Sequence, residues 1–449
     1  MHRIAVLLLA LAAVAACDRT ELTPRPDVIW VVLDAASAGH FSLYGYERNT
    51  TPRIDRFAEG SLVWERAYAQ SPQTTSSTAS FLTGRYPPEA IAKKRVRGPT
   101  LAGRLRAAGY RTVAFSENPW VSARAGFDEG FDAFHPVSLG ARMNSKSPVT
   151  IARALADMDE SSGQPLFLYL HLLPPHSPYN APPPMRGRFG GSSPPGKQRG
   201  FMTVVLGDQP KPADFKDFRT VLLGKASLSS AELDLLRARY DENLAFVDAQ
   251  VGELLAGLRS RGRLARSLVI VSADHGEAFG EHGHVMHSSS LYDEQIRVPL
   301  VMRLPEGMLE GGESSGRRRE PVQLVDLPAT VLRLLGLTAA ESGPGRSLLD
   351  PAQSGREPVR SFAPNGMQAV IEGRFKLITS KGEESPLLFD LEADPGEREN
   401  LAGTQADRVA RLRELAWRGS LTTASPSLGG VDDETRDQLK KLGYLEEEP

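Results

Sequence analysis

The stretch Ser267-Leu-Val-Ile-Val-Ser-Ala-Asp-His-Gly276 decides the fold. Its first seven residues form an almost continuous apolar run of strand length, which suits a strand buried on both faces of a helix-covered parallel sheet. The run ends on Asp274 and His275, and a second run of the same kind, Asp27-Val-Ile-Trp-Val-Val-Leu-Asp34, ends on Asp34. In an open α/β sheet, ligands gather outside the carboxyl ends of the strands, so residues far apart in sequence can build one site there. Two carboxylates and an imidazole are donors for a hard or borderline divalent cation. Zinc, calcium, manganese and magnesium all accept this set. The chain therefore reads as a metal-dependent enzyme.

Working outward, apolar runs of strand length alternate with amphipathic helical patterns from Asp27 to about Leu337, which predicts βαβ units. Helices are expected at Thr50–Phe57, where a capping Thr precedes an early Pro, at Thr100–Gly109, and from Ser229 to Leu258 with the capping pair Ser229 and Glu232. Another is expected over Gln323–Gly336, despite its internal Pro328. Strands are expected at Arg111–Phe115 and Pro165–His171. The segment Tyr179–Lys225 is rich in Pro, Gly and basic residues and follows His176, so it reads as a long loop that walls or covers the site. From about Gly355 the pattern shifts to short strands at Gln368–Ile371, Lys376–Thr379 and Leu387–Phe389, followed by a helix at Ala406–Arg418. Lys376 is expected in solvent, and Val431–Leu445 is expected as a short helix packed back on the body. The predicted class is α/β: residues 27–354 form a large domain with a mostly parallel central sheet flanked by helices, and residues 355–449 form a small C-terminal α+β domain and tail.

The amino terminus reads as an address. Residues 1–17 combine a basic start, a short apolar stretch and small residues, as an export signal does. The stretch is too short for a confident membrane span. Val14-Ala-Ala-Cys17 resembles the lipobox of bacterial lipoproteins, so the expected product is lipidated at Cys17 and tethered through residues 18–26. It would be exported, membrane-anchored and facing the periplasm or cell exterior. The alternative is a soluble secreted protein cut after an Ala-x-Ala site, with Cys17 incidental or removed. Cys17 is the only cysteine, so no intramolecular disulfide can form. With 53 Lys+Arg against 55 Asp+Glu the net charge is -2, and no global field recruits nucleic acid.

A hydroxyl-rich segment, Ser71-Pro-Gln-Thr-Thr-Ser-Ser-Thr-Ala-Ser-Phe-Leu-Thr-Gly84, precedes a short helical run. A hydroxyl at a helix N-terminus sits near backbone N–H groups that can hold the oxygens of a tetrahedral anion. Beside a bound cation, such a hydroxyl can serve as a nucleophile.

Several ordered motifs now combine with these. They are Tyr44-Gly-Tyr46, Gly126-Phe-Asp-Glu-Gly-Phe-Asp132, Pro175-His-Ser-Pro-Tyr179, Tyr240-Asp-Glu-Asn243, Gly280-Glu-His-Gly283, Leu291-Tyr-Asp-Glu-Gln-Ile-Arg-Val-Pro-Leu300 and Phe389-Asp-Leu-Glu-Ala-Asp-Pro-Gly-Glu397. With them the chain resembles the sulfatase branch of the alkaline phosphatase superfamily from Asp27 to the carboxyl end. The resemblance implies that Asp34 is the first metal aspartate, Asp274 and His275 the metal pair, and Thr74, ten residues before Gly84, both a ligand of the same ion and the nucleophile. It further implies that His176 and His287 protonate a leaving oxygen or hold a non-bridging one. His40 is expected as a partner behind Asp34. His282 and His284 are expected to orient the Gly280–His287 loop, with one of them able to bind a second ion.

The departures from that family's pattern shape the functional expectation. Formylglycine sulfatases need Cys or Ser at the nucleophile position, with Pro and Arg two and four places on; here the residues are Thr74, Ser76 and Thr78. Oxidation of a threonine gives a ketone, so formylglycine is excluded. The family's basic residue is missing from Thr112-Val-Ala-Phe-Ser-Glu-Asn-Pro-Trp120, Ser288 stands where a lysine is common, and Ala35, Ser37 and Gly39 replace an Asp, an Arg and an Asp. What remains is similar to the single-metal site of phosphoethanolamine and phosphoglycerol transferases, whose nucleophile is threonine. The expected activity is hydrolysis or transfer of phosphate esters, less so sulfate esters, on an anionic substrate such as a lipid or glycan headgroup. The competing reading is a catalytically inactive sulfatase-like lipoprotein that binds an anionic glycan or a protein partner.

Overall fold

Three apolar runs form the centre of the sheet. Every residue of the strands Asp27–Leu33, Leu166–Leu172 and Ser267–Ala273 is buried. Asp27–Leu33 lies between the other two and is parallel to both. The computed structural model describes residues 25–92, 95–137, 146–160, 163–190, 200–207, 211–309, 314–338, 343–350, 357–380, 382 and 385–416. Cys17, the predicted helix at 431–445 and the expected boundary at 354/355 lie outside the described residues.

The main sheet has eight strands. From one edge to the other they are Gly316–Arg318, Leu62–Trp64, Leu300–Arg303, Ser267–Ala273, Asp27–Leu33, Leu166–Leu172, Arg111–Ser116 and Ala133–Pro136. All pairings are parallel except the two made by Leu300–Arg303. The helix Ser230–Ser260 covers one face, together with Pro52–Ala58 and Ser147–Glu160. Its start is locked by the expected capping box: Glu232 N donates to Ser229 Oγ at 3.3 Å and Ser229 N donates to Glu232 Oε2 at 2.8 Å. Further along the same helix, the Asp248 carboxylate accepts from Arg53 N and Ile54 N, so one helix caps another across 194 residues of chain.

A separate antiparallel sheet runs Val359–Phe362, Met367–Glu372, Phe375–Ser380 and Leu387–Asp390 in order. Alternation sends Val370, Leu377 and Leu388 against Val409 and Leu412 of the helix Ala406–Ala416, while Ala369, Ile371, Ile378 and Phe389 pack on Tyr68, Leu291 and Ile296 of the larger unit.

Three expectations need correction. The supposed loop Tyr179–Lys225 contains the helices Gly200–Leu206 and Pro212–Leu222, whose apolar residues Phe201, Val205, Phe218 and Val221 pack together beside Tyr179 and Tyr240. Pro328 is not internal to a helix: a 3-10 turn, Leu324–Asp326, precedes the helix Leu327–Leu334 and leaves Pro328 in its first turn, where no N–H is needed. Lys376 is buried, not solvated, with Nζ 2.9 Å from Asp293 Oδ1 and 2.8 Å from Glu397 Oε1. Those partners come from distant segments, which is why a strand lysine could leave water.

Candidate active site

Register brings the acidic residues together. Leu33 pairs with both Leu172 and Ala273, so Asp34 and Asp274 emerge side by side at the carboxyl edge of the sheet, and His171 arrives opposite Val32. Asp34, His171, Asp274 and His275 are all fully buried. Ala35 turns the chain away in a left-handed conformation, φ 58°. That turn is held from several sides: Ala35 N donates to Asp274 Oδ1 at 3.0 Å, and the Tyr240 hydroxyl donates to Ala35 O at 2.8 Å while accepting from Ser37 N at 2.9 Å.

Each carboxylate commits one oxygen to protein donors and leaves the other bare. Asp274 Oδ1 also accepts from His275 N at 2.9 Å, whereas Asp274 Oδ2 has no hydrogen-bond partner. Asp34 Oδ2 accepts from the Asn118 side-chain amide and lies 3.2 Å from His171 Nε2, whereas Asp34 Oδ1 has none. A buried carboxylate oxygen without a donor is costly, and a cation between the two satisfies both. His275 faces the same point, with Nε2 3.5 Å from Asp274 Oδ2 and 3.8 Å from Asp34 Oδ1. Its Nδ1 donates to Gly276 O at 2.9 Å, which places the proton there and turns the Nε2 lone pair toward the carboxylates. Burial alone would raise the Asp34 pKa, but the His176, His171 and His275 imidazoles hold it below the ordinary carboxylate value.

Gly276 is required by close approach. Its N donates to Gln295 O at 2.9 Å, and a Cβ there would meet Glu294 O at 2.2 Å.

The hydroxyl segment reaches this centre from the side. Thr74 is the first residue of the helix Thr74–Thr83, and its Oγ1 lies 3.1 Å from His275 Nε2. Ser77, one turn on, donates to Asp274 O at 2.5 Å and bolts the helix start to the strand end. Ser288 N donates to Pro72 O at 3.0 Å, fastening the segment from the other side.

Beyond His275 stands a cluster of imidazoles. The His287 ring centroid is 4.5 Å from that of His275 and 5.0 Å from that of His176. His287 Nδ1 donates to Glu277 Oε1 at 2.8 Å, the Tyr179 hydroxyl donates to Glu277 Oε2 at 2.9 Å, and His176 Nδ1 donates to Ser177 O at 2.6 Å. Burial pushes Glu277 up, yet His287 and its neighbours outweigh this and hold the carboxyl below its ordinary value.

Of the residues singled out in the sequence, Asp34, Thr74, Asp274, His275, His176 and His287 thus share one region. The other histidines do not join it. His40, expected behind Asp34, bonds Asp241 Oδ1 at 2.7 Å and packs edge-on against Tyr240. His282 stacks on Tyr292 and bridges Glu294 Oε1 and Glu397 O, at the seam with the C-terminal sheet. His284 lies near the same Tyr292 ring. Four residues of the site escaped the sequence reading: His171, Asn118, Glu277 and Tyr169, whose hydroxyl lies 2.9 Å from His171 Nδ1.

The sulfatase family model matches residues 26–337. The chain belongs to the sulfatase family. It is 25% identical over 458 residues to the choline-sulfatase of Rhizobium meliloti (strain 1021), covering 88% of this chain and 86% of that protein. The fold is shared with the phosphonate monoester hydrolase of Agrobacterium radiobacter, at TM-score 0.69 and 20% identity, covering 87% of this chain and 94% of that one. It is also shared with a protein solved with its substrate D-glucosamine-2-N,6-O-disulfate, at TM-score 0.69 and 19% identity over 93% and 98% of the two chains. This sulfatase-family chain is accordingly assigned as a hydrolase. Enzymes of the family bind a divalent metal, and Asp34, His171 and Asp274 offer donor atoms close enough together to hold one.

Proposed function

We propose that this sulfatase-family hydrolase acts on phosphate esters or phosphodiesters through Thr74 as nucleophile, without formylglycine. The observation that carries the proposal is the Thr74 hydroxyl at a helix N-terminus, 3.1 Å from His275 Nε2 and beside two buried carboxylate oxygens that lack donors. Thr74 Oγ attacks phosphorus as its hydroxyl proton is released to solvent, the bond from phosphorus to the leaving alcohol breaks, and a phosphothreonine forms. The leaving oxygen takes a proton from His176 or His287. Water or a second alcohol, giving its proton to that imidazole, then attacks the phosphothreonine, the bond from phosphorus to Thr74 Oγ breaks, and Oγ takes up a proton to restore Thr74. The backbone N–H groups of the first turn of Thr74–Thr83 face the equatorial oxygens. Asp34, Asp274 and His275 would hold a divalent cation, which would supply Lewis-acid polarisation and neutralise developing charge. Phosphoryl transfer depends mainly on such positioning and charge stabilisation, so it suits a plain hydroxyl nucleophile.

In this reading the substrate is a lipid or glycan headgroup, and Cys17, lipidated after export, keeps the enzyme at the membrane. Steady-state assays with matched aryl phosphate, aryl phosphonate and aryl sulfate esters test the chemistry. The wild type is expected to turn over the phosphorus esters in preference to the sulfate, and Thr74→Ala to lose on the order of 10^3-fold or more in kcat. Undiminished turnover in Thr74→Ala contradicts the reading.

A further inference from the structure

Besides His275, the His171 imidazole faces the carboxylate pair. His171 is fully buried, sits on the strand beside Asp34, and places Nε2 3.2 Å from Asp34 Oδ2 and 3.8 Å from Asp274 Oδ2. We propose that His171 is a direct ligand of the metal ion, giving the site two imidazole nitrogens and two carboxylates and selecting a zinc-type cation over calcium or magnesium. The proposal rests on the reading of this site as a metal centre.

Three observations support it. First, the donor spacing fits: bonds of about 2.0–2.2 Å in a tetrahedral zinc site place neighbouring ligand atoms roughly 3.3–3.6 Å apart. His275 Nε2 lies 3.5 Å and His171 Nε2 3.8 Å from the same bare oxygen, Asp274 Oδ2, and His275 Nε2 lies 3.8 Å from the bare Asp34 Oδ1, each within a few tenths of an ångström of that spacing.

Second, a metal-bound imidazole donates its other N–H to a fixed oxygen, and His171 Nδ1 has one, the buried Tyr169 hydroxyl at 2.9 Å. Tyr169 is itself immobilised edge-on against Trp30. His275 has the equivalent arrangement through Gly276 O.

Third, Asp34 is oriented without His171. The Asn118 amide already donates to the same Oδ2, and Asn118 is oriented by Trp120 N, which donates to its Oδ1 at 2.8 Å. Calcium and magnesium favour sites built of oxygen, whereas imidazole suits zinc and its first-row neighbours. Two nitrogens among four protein donors therefore tilt the choice.

The test is proton NMR of the full-length protein loaded with cobalt(II), a paramagnetic stand-in for zinc. Each ligating imidazole contributes one strongly shifted, exchangeable N–H resonance, so the count reports ligands without reference to activity. The expected count is two in the wild type and one in His171→Gln, a variant that can still donate a hydrogen bond to Asp34. Zinc affinity, by competition with a chromogenic chelator, is expected to fall at least a hundredfold in the variant. A single shifted resonance in the cobalt-loaded wild type overturns the role of His171 while leaving the metal centre standing, whether or not the variant folds. Failure of the wild type to bind cobalt or zinc at all overturns the metal reading itself, and this inference with it.

Discussion

The Thr74 hydroxyl and His275 Nε2 are 3.1 Å apart although 201 residues separate them in the chain. The contact requires the helix Thr74–Thr83 to begin against the carboxyl end of the strand Ser267–Ala273, and the Ser77 bond to Asp274 O fixes that approach. Thr74, Asp274 and His275 are therefore held by rigid elements.

Cation binding is expected to stabilise the fold. Without a cation, Asp34 Oδ1 and Asp274 Oδ2 are buried without donors; with one present at a hundred times its Kd, linkage adds about 2.7 kcal/mol. Calorimetry should show the melting temperature falling on chelation and recovering with zinc. In Asp274→Asn that response should disappear.

Glu277 holds His287 and the Tyr179 hydroxyl at once. Glu277→Ala leaves both without this acceptor, and kcat is expected to fall about tenfold to hundredfold, as for a misoriented acid–base group. Glu277→Gln keeps an acceptor for His287 and should recover much of the loss. Equal damage from both substitutions would mean that charge, rather than orientation, is what Glu277 contributes.

The seam between the two sheets should be sensitive to pH. Burial pushes the Glu397 carboxyl up to about 7 despite the Lys376 ammonium, with Asp293 adding to the rise. A carboxyl raised in the folded state contributes stability that is complete below its ordinary value of 4.5 and lost as pH rises through about 7. Relative to Glu397→Gln, the wild type should lose melting temperature between about pH 5 and pH 8. An offset that stays constant over that range contradicts the assignment.

Gly276→Ala places a methyl group 2.2 Å from Glu294 O. Backbone must move to relieve this, so chemical denaturation should show a loss of more than about 2 kcal/mol together with weaker metal binding.

The parts of this architecture that were legible in the sequence are those set by local pattern. The runs ending on Asp34 and Asp274 are apolar on both faces, and that periodicity alone announces buried parallel strands with acids at their carboxyl ends. Ser229 and Glu232 announced a helix start in the same local way. His171 was hidden because a histidine inside an apolar run reads as core, and only the pairing of its strand with Asp27–Leu33 reveals what it faces. Asn118 lay in a segment notable for lacking a basic residue, and its amide matters only once the Arg111–Ser116 strand is placed two positions from Asp34 in the sheet. The helices Gly200–Leu206 and Pro212–Leu222 are short, and each needs the other to bury its apolar side, so a Pro- and Gly-rich surround masked them. His40 was drawn to Asp34 by proximity in sequence, but Asp241 on the long helix supplies its partner.

The central claim is that Thr74 attacks phosphorus and carries the phosphoryl group. It is tested most directly by quenching the zinc-loaded enzyme with acid during turnover of an aryl phosphate and measuring the mass of the Thr74-containing peptide. The account predicts one added phosphoryl group, localised to Thr74 and absent from Thr74→Ala. Full turnover of the phosphate with an unmodified Thr74 peptide at every quench time would contradict it.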